Sequence, residues 1–284
     1  MKKIMTPSSK VSFRTLITLM LVTLWILSGC QSKATAANDT SAEPTSDLKN
    51  TPESVTLTVS AAASLNEALT EIKSLYETQY PGKKLLLNFA SSGSLEQQIE
   101  QGAEVDVFLS ASPKYTNLLK DKGLILEDTL IDLLKNEIVL VTNVNSPLAD
   151  LKFEALGSAD YDKIGIGEPS SVPAGQYGAE ILTTLGIKDD VYTKAVFAKD
   201  VKEVLTWVET DNVDFGIVYS TDAVNSKNVK VLSAAPTDSH KAILYPAVVI
   251  KESKQPDEAT HFLNFLSEED TMAIFIKYGF LSAQ

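Results

Sequence analysis

The sequence predicts an α/β fold with two lobes, and three observations support this prediction. From Val55 onward, short apolar stretches alternate with stretches of helical periodicity, a pattern typical of parallel sheets covered by helices on both faces. The chain has 284 residues. Its alternating part, about 230 residues long, is large for one α/β domain and is a typical length for two. Hydrophobic residues make up 44% and charged residues 22% of the chain, so a large core can form.

The first residues predict a targeting segment, residues 1–29. Basic residues precede an apolar stretch at 16–27 whose 12 residues fall short of the roughly 20 that span a bilayer. Leu-Ser-Gly follows and ends at Cys30, the one cysteine of the chain, so no intramolecular disulfide can form. Small residues before a cysteine at this point resemble a bacterial lipobox, which implies cleavage before Cys30 and lipidation of its thiol. The alternative is a plain signal peptide followed by a chance cysteine.

Residues 30–54 predict a flexible tether. They lack aromatic residues and are rich in Ala, Ser, Thr, Asp and Pro, a composition that cannot bury a core. With a lipidated Cys30, the folded part would be tied to the extracytoplasmic face of the cell membrane. The formal net charge of −12 argues against nucleic acid as a partner, because nucleic acid requires a basic surface.

The folded part follows in strand and helix patterns. Strands are expected at 55–62, 85–90, 105–111, 137–143, 164–169, 194–198, 215–221, 229–234 and 243–250. Helices are expected at 64–80, 92–102, 113–123, 175–186 and 200–211, with further helices in 261–280. The first lobe would comprise 55–137 and 252–284 and the second 138–251, with hinges where the chain crosses between them.

Ligands of open α/β sheets bind beyond the carboxyl ends of the strands, where helix N-termini offer unpaired N–H groups. In the first turn of this kind, Ser64 and Glu67 have the spacing of a capping box, and the alanines at 61–63 would let a ligand approach the backbone. A plain helix cap is the alternative interpretation. In the second turn, Ser94 with Gln97 satisfies the cap pattern, so Ser91 and Ser92 are surplus hydroxyls.

Two further turns complete the set. The sequence Pro-Ala-Gly at 173–175 leads into a helix and can expose the N–H of Ala174. Asp200 is expected to cap the next helix, which begins at Val201, and this alone is an ordinary cap. Tyr219 stands at the end of a strand, where a packing residue with a solvated hydroxyl is the alternative to a ligand contact.

These motifs, in this order, resemble the molybdate-binding protein of bacterial molybdate ABC importers. The matching segments are AAASL, FASSGSLEQQIEQG, VDVFLSA, GEPSSVPAGQY, DVKEVL, GIVYSTDAV and KYGF. The resemblance covers essentially all of residues 55–284. It implies the two-lobed periplasmic-binding-protein fold of type II, with the ligand in the cleft between the lobes.

The resemblance also implies that neutral donors alone hold the oxyanion. These would be the hydroxyls and backbone N–H groups of Ser64 and Ser92, the backbone N–H groups of Ala174 and Val201, and the hydroxyl of Tyr219. Because Gly93 stands where the family often has serine, Ser91 could replace Ser92. Molybdate or tungstate is the implied ligand, without a cofactor, and an ABC transporter permease is the implied transient partner of a monomer.

Other function classes are less compatible with the residues. The two histidines, His240 and His261, lie in no nucleophile motif, and neither a phosphate-binding loop nor a metalloprotease motif is present, so no enzymatic activity is expected. An iron-binding version of the fold would need clustered Tyr, His and carboxylates. A binder of sulfate or another oxyanion on the same fold stays open, as does an adhesin, although an adhesin would not need four donor-rich turns.

Overall fold

The computed structural model describes residues 54–148 and 150–284, and two β-sheets organise this part of the chain. The predicted targeting segment, Cys30 and the tether up to residue 53 lie outside the described residues. In chain order, the strands are β1 (Val55–Ala62), β2 (Lys83–Ala90), β3 (Val107–Leu109), β4 (Ile131–Asn136), β5 (Ile138–Asn143), β6 (Ile164–Gly167), β7 (Ala195–Ala198), β8 (Phe215–Tyr219), β9 (Val229–Ala234), β10 (Ile243–Val249) and β11 (Leu281–Ser282).

The helices follow most strands directly. They are α1 (Asn66–Gln79), α2 (Ser92–Glu100), α3 (Pro113–Asp121), α4 (Pro173–Thr184), α5 (Lys188–Tyr192), α6 (Val201–Glu209), α7 (Ser220–Val224), α8 (Pro256–Phe265) and α9 (Glu269–Lys277). Short 3-10 turns supplement them, including Ala63–Leu65 between β1 and α1. Within residues 54–148 and 150–284, no helix combines the length and the apolar character needed to cross a bilayer.

Both sheets are mixed rather than parallel as predicted. The six-stranded sheet has the order β11-β4-β10-β3-β1-β2, and the five-stranded sheet has the order β7-β6-β8-β5-β9. Strands joined through a helix pair in parallel, as β1 does with β2 and β6 does with β7. By contrast, β10 runs antiparallel to β3 and β4, and β5 runs antiparallel to β8 and β9, because the chain enters these strands from the other sheet.

The chain crosses between the sheets twice. The first crossing lies at Glu137, between β4 and β5, and the second lies between β9 and β10. The sequence places 243–250 in the second lobe, and this assignment is wrong, because β10 hydrogen-bonds to β3 and β4 inside the six-stranded sheet. The return therefore occurs before Ile243 rather than after residue 251. The division into two lobes itself stays a prediction.

Alternation along the strands covers both faces of the six-stranded sheet. In β3, Val107 and Leu109 join the larger core cluster, which includes buried side chains from both sheets. Phe108 between them faces the other way and packs with Leu95 and Leu119 from α2 and α3. The core thus fixes the helices whose first turns follow the carboxyl ends of the strands.

Candidate binding site

One small cavity between the two sheets gathers all five residues that the resemblance implies. It is lined by Ala62, Ala63, Ser64, Ser91, Ser92, Ala111, Val172, Pro173, Ala174, Asp200, Val201 and Tyr219. Its free volume is about 10 Å³, comparable to the space that one water molecule needs, so the cavity suits a small solute. None of its lining residues is Lys, Arg or His.

Larger cavities lie elsewhere, but they do not include the donors that line the small cavity. A groove of about 720 Å³ runs along α4 and the segment 238–241, and one of about 480 Å³ lies where the chain crosses between the sheets. Neither shares a residue with the small cavity. We favour the small cavity because it combines helix N-termini with a buried hydroxyl that lacks a partner.

Ser92 and Ser91 have different tasks at the start of α2. Ser92 is fully buried, and its Oγ accepts the N–H of Ala111 at 2.9 Å, which leaves its own hydrogen free for the cavity. Ser91 donates to the Oγ of Ser94 at 2.8 Å and accepts the N–H of Ser94 at 3.3 Å. Ser91 is therefore the N-cap, and the predicted cap by Ser94 is wrong because the helix begins two residues before it, at Ser92.

Ser64 lies in the 3-10 turn before α1, where its side chain makes no cap. The predicted capping box with Glu67 is therefore not formed. The Ser64 Oγ instead lies 3.0 Å from the hydroxyl of Tyr245, which accepts the Nδ2–H of Asn136 at 3.1 Å. Burial raises the pKa of Tyr245 well above its usual value, so this phenol is protonated and can donate to Ser64. Either hydroxyl can be the donor of this bond, and the hydrogen of Ser64 is available to the cavity when Tyr245 donates.

Two helix N-termini supply backbone donors. Pro173 is the first residue of α4 and has no N–H, so the first N–H that α4 presents is that of Ala174. A Cβ on Gly175 would lie 1.8 Å from the carbonyl oxygen of Gly167, so only glycine lets this turn pack against the end of β6. In α6, the carboxylate of Asp200 accepts the N–H of Glu203 at 2.9 Å, which confirms the predicted cap.

Tyr219 supplies the most informative contact of the cavity. The side chain is 1% exposed, and among the described residues no partner of its hydroxyl meets hydrogen-bond geometry, although the nearby Tyr245 hydroxyl contributes to its pKa. Burial raises the pKa of Tyr219 well above its usual value, so the hydroxyl is protonated and can donate. Leaving a buried hydroxyl unpaired costs about 1–3 kcal/mol. A ligand that accepts this hydrogen bond would recover that free energy.

Two hydrogen bonds beside the cavity connect α2 and α3, next to the six-stranded sheet, with the segment 170–171, which follows β6 of the five-stranded sheet. The N–H of Gly93 in α2 donates to the carbonyl of Ser171 at 2.9 Å, and the hydroxyl of Tyr115 donates to the carbonyl of Ser170 at 3.2 Å. A Cβ on Gly93 would lie 2.6 Å from the oxygen of Ser171. The serine that the family often has at this position would therefore not fit the present arrangement.

The sequence analysis did not identify the residues that hydrogen-bond to the donors from behind. Asn136 and Tyr245, which support Ser64, come from β4 and β10, far from Ser64 along the chain. No local pattern could have indicated them, because the contacts arise from strand order. Within the described part of the chain, no group of three or more His, Cys, Asp or Glu side chains could hold a metal ion.

A family model for bacterial extracellular solute-binding proteins matches residues 57–281. The chain belongs to this family. Its members are transport proteins that act outside the cytoplasm and not enzymes, so membership confirms the expectation of no enzymatic activity.

Two relatives illustrate where this solute-binding protein stands in the family. It is 45% identical over 226 residues to YvgL of Bacillus subtilis, a protein named as a substrate-binding lipoprotein of an ABC transporter, covering 80% of this chain and 86% of YvgL. It is 36% identical over 230 residues to the molybdate-binding protein ModA of Haemophilus influenzae, covering 80% and 90%. The resemblance to molybdate-binding proteins is confirmed at this level.

Solved structures confirm the fold class. A structure from Clostridium difficile, described as the substrate-binding domain of a molybdenum ABC transporter, has 44% identity and a TM-score of 0.64 and covers 81% of this chain and 100% of its own. The periplasmic molybdate-binding protein of Azotobacter vinelandii has a TM-score of 0.73 at 23% identity, with coverage of 80% and 100%. This solute-binding protein thus has the periplasmic-binding-protein fold.

Proposed function

We propose that this protein captures molybdate, and with it tungstate, outside the cytoplasm and delivers it to the permease of an ABC transporter. The observation that carries the proposal is the unpaired, buried hydroxyl of Tyr219 in a cavity with neutral donors, where the one charged lining residue, Asp200, uses its carboxylate to cap α6. Ser64, Ser92, Ala174 and Val201 supply the other donors. These donors lie in turns and helices that follow strands of both sheets, and together with Tyr219 they line the same small cavity.

A site of neutral donors favours an anion without a proton of its own. Molybdate and tungstate are fully ionised at neutral pH, so each of their oxygens can accept hydrogen bonds. A protonated oxyanion such as hydrogen phosphate would bring an O–H that finds few acceptors, and an unpaired buried donor is costly. Hydrogen bonds to charged groups contribute about 1.5–3 kcal/mol each. Five of them reach the roughly 8 kcal/mol of a micromolar complex even after ordering costs.

The relatives support molybdate over other oxyanions. The two proteins that carry the name ModA and are 36% identical to this chain, from Haemophilus influenzae and Escherichia coli, are named as molybdate-binding proteins. Sulfate carries the same charge on a smaller tetrahedron, so the width of the closed cavity would separate the two ligands.

We further propose that Cys30 carries a lipid that anchors the protein to the cell membrane. The apolar segment before Cys30 and the tether after it support this anchor, as does the name of YvgL, which places that relative among lipoproteins. Intact-mass measurement of the membrane-extracted protein tests the anchor. Acyl chains should be present on the wild type and absent from Cys30→Ala, whereas an unmodified Cys30 in the extracted protein would contradict the proposal.

The ligand is tested by calorimetric titration of the processed protein with molybdate, tungstate, sulfate and phosphate. Saturable binding of molybdate and tungstate without sulfate supports the proposal. Binding of sulfate or phosphate alone would change the ligand and keep the site, and no binding of any oxyanion would overturn the function.

Two neighbouring serines provide a matched pair of variants for the site. Ser92→Ala should weaken molybdate binding at least about tenfold, because a hydrogen bond to a charged group is lost. Ser91→Ala should lower the free energy of unfolding by about 1 kcal/mol, the usual contribution of an N-cap, with little change in affinity. Stability alone does not separate the two variants, because Ser92→Ala leaves the buried N–H of Ala111 without its acceptor. The reverse result would assign the contact to Ser91.

A further inference from the structure

Lys202 links the two sides of the cavity. It follows Val201 in the first turn of α6, beside the five-stranded sheet, and its Nζ lies 2.9 Å from Oδ1 of Asp222 on the same side. The same Nζ lies 2.8 Å from Oε2 of Glu67 on α1, beside the six-stranded sheet. Lys202 is thus held by one carboxylate on its own side and reaches a second one on α1, beside the other sheet.

The attachment of Lys202 to Asp222 is a buried ion pair on the carboxylate side. Asp222 is fully buried, the ammonium is the partner of its Oδ1, and its Oδ2 accepts the N–H of Tyr219 at 3.3 Å. Burial raises the pKa of Asp222, which Lys202 opposes. Burial also works against the charge of Lys202, but the carboxylates of Asp222 and Glu67 outweigh it and raise the pKa of Lys202. The ammonium therefore stays charged and is fixed beside two cavity donors, Val201 and Tyr219.

The contact with Glu67 differs from the other ion pairs of α1. The Glu67 side chain is 45% exposed, and it lies one turn after Ser64, so it moves with that donor. Glu71, one turn further along α1, pairs with Lys277 of α9 at 2.7 Å, and both belong to elements beside the six-stranded sheet. Only the first of these two pairs joins elements that follow strands of different sheets.

We propose that the ion pair between Glu67 and Lys202 is a closing contact of the cavity and that Lys202 is a positioning residue for the anion. The pair holds the first turn of α6 against the start of α1, which keeps donors from both sheets within reach of one small ligand. The inference rests on the proposed function, because it concerns how the same site holds its oxyanion. If only the closed arrangement binds tightly, the apparent dissociation constant rises in proportion as that arrangement becomes less populated.

The two conceivable effects of Glu67 have opposite signs, which makes the inference testable. As a charge alone, the carboxylate repels a dianion, so Glu67→Gln would tighten binding. As half of a closing contact it holds the donors together, so the same substitution weakens binding. Glutamine keeps the shape of glutamate, and the side chain is partly exposed, so the fold is retained.

The experiment compares Glu67→Gln with Glu71→Gln in the processed protein, which retains every residue from 30 onward. We expect Glu67→Gln to weaken molybdate binding about three- to fivefold, the range of a partly exposed ion pair, mainly through faster dissociation. Glu71→Gln should bind like the wild type, although both variants lose one acidic residue of the same helix. Lys202→Arg preserves both contacts and should stay within about twofold of the wild type. Equal or tighter binding by Glu67→Gln would overturn the inference.

A second measurement does not depend on molybdate. The radius of gyration in solution without ligand should be larger for Glu67→Gln than for Glu71→Gln, because the closed arrangement loses one contact. Absence of oxyanion binding by the wild type would refute the proposed function. The closing contact would then be tested by the two radii of gyration alone. Equal radii in that case would refute the closing contact as well.

Discussion

At the residue scale, the cavity depends on which hydrogen atoms are already committed. The hydroxyl of Ser91 gives its hydrogen to Ser94, whereas that of Ser92 only accepts, and that of Tyr219 has no partner among the described residues. The sequence shows that all three hydroxyls lie near strand ends. It cannot show which of them is committed, because the N–H that Ser92 accepts comes from Ala111, which follows a different strand, β3.

Tyr219→Phe should separate stability from binding. Removing a buried hydroxyl without a partner leaves the free energy of unfolding unchanged or raises it, because no hydrogen bond is lost. Molybdate affinity should fall roughly tenfold or more, since a bond to a charged ligand is lost. Urea unfolding and calorimetry on the same variant check both signs, and a loss of stability without a loss of affinity would assign Tyr219 to packing.

Gly93→Ala should act on closure rather than on folding. A Cβ at this position would lie 2.6 Å from the oxygen of Ser171, so the present contact between α2 and Ser171 could not form. Alanine is a better helix former than glycine, but its Cβ would also lie 2.9 Å from the ring of Tyr115 on α3, beside the same sheet, so the free energy of unfolding should change little. Molybdate binding should be about tenfold weaker, because the hydrogen bond from the N–H of Gly93 to the carbonyl of Ser171 is lost. Wild-type affinity would show that the cavity does not need this contact.

At the scale of elements, the strand-to-helix turns could be predicted and the strand partners could not. The starts of α3 and α6 follow from local residues, Pro113 and Asp200, because a cap acts within one turn. The two-residue β11 and the five-residue helices α5 and α7 carry too little periodicity to be recognised, and β4, with the sequence IDLLKN, does not alternate regularly between apolar and polar residues. The placement of β10 depends on pairing with residues more than a hundred positions away, and no local signal encodes it.

Helix α2 carries a carboxyl group that should make stability depend on pH. Burial and the neighbouring Glu100 raise the pKa of Glu96 from its usual 4.5 to about 7. The pKa of Glu100 is lowered by its hydrogen bond with Glu96 and by Lys122. Between pH 4.5, the usual pKa of the Glu96 carboxyl, and about 7, its pKa in the folded protein, the folded state holds a proton that the unfolded state has lost. Stability therefore falls as the pH rises through about 7.

Glu96→Gln checks this dependence because glutamine keeps the hydrogen-bonding capacity without the proton. Urea unfolding of the wild type between pH 5 and 8 should show a decline that is smaller in the variant. Glu127→Gln, an exposed glutamate in another segment, serves as the control and should follow the wild type. A wild-type decline that persists unchanged in Glu96→Gln would exclude Glu96 as its source.

At the scale of the whole molecule, the charge opposes the ligand. The formal net charge is −12, and the cavity itself has no basic lining residue, so a dianion is repelled at long range and held only at contact. Salt screens charges beyond roughly 8–10 Å but leaves short hydrogen bonds largely intact. Association should therefore become faster as ionic strength rises, the reverse of electrostatically steered binding.

Stopped-flow fluorescence can measure this effect directly. Trp207 lies on α6, six residues after Val201, and is the one tryptophan that remains after removal of residues 1–29. Between 10 and 150 mM salt, at Debye lengths of about 30 and 8 Å, the association rate for molybdate should increase while dissociation changes little. An association rate that falls with salt would point to a basic approach path.

The order of strands in the six-stranded sheet has a consequence for export. β10 lies between β4 and β3, yet it follows them by more than a hundred residues in the chain. A polypeptide that is secreted N-terminus first would therefore expose the edges of β3 and β4 until almost the whole chain has crossed the membrane. Unpaired edges invite aggregation. Passage through the envelope thus requires either rapid completion of translocation or a holding factor that shields these two strands.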